Sequence, residues 1–115
     1  MMILAARITA ASLGLAVLAW QVVNARRGRF VHPFLVADLV LGLFLVAAAV
    51  LPGRRGPALA MLAGFAALAG VFLSATTGRL LLGGYDTGTA LTTLGLVPCL
   101  AGALGLARWL LREPN

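Results

Sequence analysis

One acid stands inside an otherwise apolar run. Asp38 lies within HPFLVADLVLGLFLVAAAVL, the stretch from His32 to Leu51. A carboxylate in such a setting can hold a proton, take a cation or accept hydrogen bonds. Burying it in hydrocarbon costs a few kcal/mol unless it is paired, neutral or hydrated. Arg79, the hydroxyls of Thr92 and Thr93, and His32 are the partners first considered. His32 is six residues from Asp38, which places it on another face of the same helix. The functional reading is a proton- or cation-sensitive site, or a polar cup for a small molecule or headgroup. The structural reading is an Asp–Arg or Asp–Thr tie that locks helices together.

The other reactive side chains carry less. His32 precedes Pro33 and reads as an interfacial cap. A single histidine excludes bis-histidine haem ligation within one chain. Cys99, the one cysteine, excludes an internal disulfide and a multi-cysteine metal centre, and reads as a small buried filler. There is no Ser–His–Asp arrangement, phosphate loop or metal-ligand spacing. The reading is therefore non-enzymatic, with no cofactor.

The elements that must position Asp38 follow from composition. The chain has 115 residues, 62% hydrophobic and 10% charged, with mean hydropathy +1.04. A soluble domain is about 45–50% apolar and about 25% charged, and a chain this short has too little interior to hide the excess. The lipid bilayer is the expected partner. Net charge is +6, all of the basic residues being arginine. They flank the apolar runs, where they meet headgroups, so nucleic acid is not expected.

The expected fold is all-α: an integral membrane four-helix bundle, up-down, with short loops. Its helices are expected at about 3–23, 32–51, 57–77 and 89–107. Gly28 within NARRGRF, Pro52-Gly53 and Gly83-Gly84 mark the turns. Pro33 and Pro57 suit first turns, and Pro98 is expected to kink the last helix. Ala60/Gly64 and Ala66/Gly70 are small-xxx-small pairs that predict close packing. Arg7 is expected to snorkel to the interface and Trp20 to sit in an aromatic belt. A cleaved signal ending at Val23-Asn24-Ala25 is the competing reading of the first run.

Four antiparallel spans gather polar residues at one end. Gln21 and Asn24 come from the first helix and Asp38 from the second. Ser74, Thr76, Thr77 and Arg79 come from the third, and Tyr85 to Thr93 supply more. Asp38, Ser74, Thr77, Arg79, Thr92 and Thr93 are the candidate ligand- or ion-site residues. The opposite end carries five arginines (Arg7, Arg54, Arg55, Arg108, Arg112) against four at the polar end. That bias leans toward both termini in the cytoplasm, and small size without a targeting signal leads to the expectation of a bacterial-type inner membrane. Its smallness also admits insertion both ways. The function expected first is a structural, accessory or interaction protein. The alternative is a small transporter or channel, working as a homo-oligomer around an Asp38 cup.

Overall fold

The structure, a computed structural model, describes residues 2–26, 28, 35–82 and 87–112; for 35, 79 and 87–89 the description is of backbone only. Four helices account for nearly all of it: α1 (Met2–Arg26), α2 (Leu35–Ala49), α3 (Arg55–Leu81) and α4 (Thr87–Arg112). Three are long and apolar enough to cross a membrane: α1, α3 and α4. As described, α2 has 15 residues, about 22 Å at the α-helical rise.

The helices form an up-down bundle, and the residues that meet show the register. Along α1 and α2, Arg7 meets Ala49 and Gln21 meets Asp38, so the two run antiparallel. Along α3 and α4, Phe65 lies over Gly102 and Thr76 meets Thr92, again antiparallel. Those two hairpins hold the largest contacts, and α2 against α3 joins them. Among the described residues, α1 also touches α3 across the bundle, whereas α2 and α4 do not meet. The cross-section is thus a rhombus with α1 and α3 on its short diagonal. The long axis, 47 Å, exceeds the roughly 30 Å hydrocarbon core of a bilayer.

Helix boundaries differ from expectation in physically simple ways. α2 ends at Ala49, where Val50 and Leu51 turn their N–H groups back to the carbonyls of Ala47 and Ala48. Gly53 then takes φ +92°, a conformation open to glycine and strained for other residues. α3 begins two residues before Pro57. Proline is tolerated there because a first-turn N–H has no partner inside the helix. At its other end α3 continues through Thr77 and Gly78 to Leu81. α4 runs unbroken through Pro98. The turn at Gly28 has φ +73°.

Packing uses small residues as sockets. A Cβ on Gly14 would lie 2.7 Å from the carbonyl oxygen of Gly42, so α1 and α2 touch backbone to backbone. Phe65 and Phe72 of α3, two turns apart, sit over Gly102 and Gly95 of α4. Gly64 receives Leu45 of α2. Of the two small-residue pairs, Ala60/Gly64 therefore packs inside the bundle, while Ala66 and Gly70 are exposed on the outer side of α3. Phe65, Leu68, Met61, Leu45, Cys99 and Leu106 are 0% exposed and fill the middle and the terminal half.

At the terminal end the arginines bond to protein as well as facing outward. One Arg7 Nη donates to Ala49 O and the other to Gly53 O, both at 2.7 Å. The fork satisfies the Ala49 carbonyl left over at the end of α2 and the Gly53 carbonyl in the turn beyond, and it places a cation at the negative pole of α2. Arg54 lies over the Trp109 ring, 5.3 Å from its centroid. The outer surface carries large aliphatic side chains such as Leu15, Leu43, Leu73, Leu94 and Leu104, each more than half exposed. Hydrocarbon solvates that surface and water does not. The chain is a small membrane protein, and its shape is a helical bundle.

Candidate functional site

α1 reaches the polar end with a buried stripe: Ile3, Ala6, Ala10, Gly14, Val17, Gln21 and Asn24. Each step is three or four residues, which keeps one helix face turned inward. Gln21 and Asn24 are on the inner face because they continue that stripe. α2 does the same with Asp38, Gly42, Leu45 and Ala49, all buried. The close approach at Gly14 and Gly42 clamps the two stripes together, and about two turns further on Gln21 meets Asp38.

Gln21 Nε2 donates to Asp38 Oδ2 at 3.0 Å. Both side chains are buried, at 2% and 8% exposure. Asp38 lies in the first turn of α2 as described. A second polar tie joins the other hairpin. The Oγ1 atoms of Thr76 and Thr92 are 2.8 Å apart, either one donating. All four residues lie within about one and a half turns of a helix end.

Between the two ties lies a cleft of about 440 Å³. α1 supplies one wall, from Leu13 to Asn24. α3 supplies Phe72 and Ala75, α4 supplies Leu91 and Thr92, and Asp38 enters from α2. The lining is mainly apolar. Asp38 is its one ionisable side chain among the described residues. Asn24 is the third polar group of note. It is 7% exposed and lines the cleft, and no described residue hydrogen-bonds its side-chain amide. Its amide can therefore bond to water or to a guest in the cleft.

The candidate residues separate. Asp38 and Thr92 line the cleft. Thr93 is half-buried on α4 beside it. Ser74 and Thr77 are exposed on the outer side of α3. The Arg79 side chain and all of His32, Tyr85 and Asp86 lie outside the described residues. Gln21, Asn24 and Trp20 line the cleft as well, beyond the six residues the sequence points to. Their signal was available: Gln21 and Asn24 fall in step with the small inward residues of α1.

A carboxylate, two carboxamides and two hydroxyls can receive hydrogen-bond donors and positive charge. Among the described residues, no group of three His, Cys, Asp or Glu side chains is placed to hold a metal ion. Cys99 is fully buried in the packed middle, away from the cleft walls. No protein-family model, no curated protein and no solved structure matches the chain.

Proposed function

We propose that this is a small four-span, non-enzymatic membrane protein that works by binding. In this reading a guest enters the cleft beside Asp38, and the protein serves an accessory or interaction role. The observation that carries it is the one-ended polarity of the bundle. A buried Asp38–Gln21 pair and the Asn24 amide border a cleft in one half, while the other half is filled by side chains with no exposure. Site volumes for small molecules run from about 300 to 1,000 Å³. The proposed setting is a bacterial-type inner membrane; both termini are placed in the cytoplasm on the bias of five arginines at the terminal end against four at the other.

A small oligomeric transporter or channel is the second reading, favoured by a carboxylate in a cleft wall. Against it, Leu45, Phe65 and Leu68 stand below the cleft, so one copy offers no path through its described middle. One experiment separates the two. In a Trp109→Phe variant, Trp20 is the one tryptophan left and lies in the cleft wall. Reconstituted in phosphatidylcholine nanodiscs, its emission is expected to respond saturably to at least one member of a series of dodecyl amphiphiles. Ala16→Phe, which adds a ring at the cleft wall, is expected to abolish the response. Absence of a saturable response to any member sinks the binding reading. A pH-dependent flux in proteoliposomes that disappears in Asp38→Asn replaces it with the transporter.

A further inference from the structure

The cleft is a long seam between α1 and α4. Its α1 wall runs from Leu13 to Asn24, about 16 Å along the helix axis. That is close to half of a roughly 30 Å hydrocarbon core, the depth of one leaflet. A volume of about 440 Å³ spread over that length leaves a mean section of about 27 Å². Such a strip suits one extended chain better than a compact solute. Leu13, Val17, Phe72 and Gly95 line its depth.

The seam opens sideways. At the terminal end Met2 lies against Gly105 and closes α1 on α4. Toward the polar end the cleft separates the two helices, and its wall residues Ala16, Ala19 and Leu91 are exposed on the outer surface. A chain dissolved in the bilayer enters there already parallel to the helices. A water-soluble solute would have to leave its hydration shell to reach the apolar depth.

The polar groups at the outer end are not equal. Asp38 Oδ2 accepts from Gln21, and Asp38 Oδ1 has no open surface. Thr92 shares a hydrogen bond with Thr76. Those groups hold helices to one another. Asn24 differs: it lines the cleft at 7% exposure, and no described residue hydrogen-bonds its amide. Its Nδ2 donates and its Oδ1 accepts, so the head that matches it does both. Charge counts against a head at this place. An ammonium would find no open carboxylate, and an anion would find no cation among the described lining residues.

Resting on the binding reading above, we infer that the cleft takes a single hydrocarbon chain whose uncharged head, a hydroxyl or a carboxamide, both donates to and accepts from Asn24. The chain fills the apolar depth between α1 and α4, and the head stops at the end of the α1 wall.

The test compares dodecanol, dodecane, dodecylamine and dodecanoate at matched mole fraction in phosphatidylcholine nanodiscs, read by the emission of Trp20 in the Trp109→Phe variant. Dodecanol is expected to bind about 2- to 12-fold more tightly than dodecane, the range of one neutral hydrogen bond. Both charged probes are expected to bind more weakly than dodecanol. Asn24→Leu in the same background is expected to bring dodecanol to the level of dodecane, and the ratio in that variant corrects for how each probe enters the disc. Should Asn24→Leu not fold, the order of the four probes on the parent protein still decides. Tightest binding by either charged probe overturns the inference, as does a preference for dodecanol that survives Asn24→Leu. Equal binding of dodecanol and dodecane overturns it too and leaves the binding reading standing. Failure of all four probes removes the binding reading itself.

Discussion

The Asp38–Gln21 pair decides how this bundle tolerates an acid among its spans. The hydrogen bond is buried and joins a neutral amide to a carboxylate, so its value is set by what its loss leaves behind. Removing the donor strands a desolvated oxygen, at a cost of about 1–3 kcal/mol. Gln21→Leu is accordingly expected to destabilise the protein by that amount in a detergent unfolding titration. Asp38→Leu combined with Gln21→Leu is expected to recover part of it, because neither half of this bond is then left buried without the other. If the double variant is as unstable as the single one, the pair contributes through shape and not through polarity.

At the scale of the element, glycine position decides which helices touch. Gly14 sits against the backbone of α2, where a new methyl group would meet the Gly42 carbonyl. A carbonyl in a helix cannot move aside as a side chain can, so Gly14→Ala is expected to cost about 1–3 kcal/mol through overpacking. Gly70 faces open space on the outside of α3. There the same substitution lowers only backbone freedom and is expected to be neutral or to stabilise by about 0.5–1 kcal/mol. Unfolding of the two variants in the same detergent checks the contrast, and an equal loss at both positions would refute the register of α1 on α2. The Arg7 fork belongs to this scale as well. It ties the start of α1 to the end of α2 and to the turn that follows, a role that an ammonium on a flexible stem fills poorly.

For the whole molecule the governing claim is that side chains distant in sequence share one end. In a Cys99→Ala background, cysteines placed at Gly28 and Gly53 test it. Both positions are exposed turns with positive φ, and a single labelled thiol at either is accessible from one side. With four crossings they are expected on opposite faces of the membrane, Gly53 on the side of the termini. Labelling of both from one side would mean that α2 does not cross. Labelling of each from both sides would show insertion in two orientations.

Much of this architecture was legible before any coordinates. Composition required a bilayer, short glycine- and proline-marked connections required antiparallel neighbours, and together they brought Asp38, Thr92 and the end of α1 into one half. The 3–4 spacing of small residues on α1 also carried the inward direction of Gln21 and Asn24. The azimuth of α3 was not legible. In water a helix turns its apolar side inward, but in lipid the outside is apolar too, and α3 offers Ala, Gly and Leu on every side. Its rotation was set by ring-into-glycine fit, Phe65 and Phe72 over Gly102 and Gly95, and that fit sent Ser74 and Thr77 outward while turning Thr76 in. The partner of Asp38 and the parting of α1 from α4 depended on the same fit. Polarity and chain length can assign a residue to a depth; only the shapes of packed side chains decide which neighbour it faces.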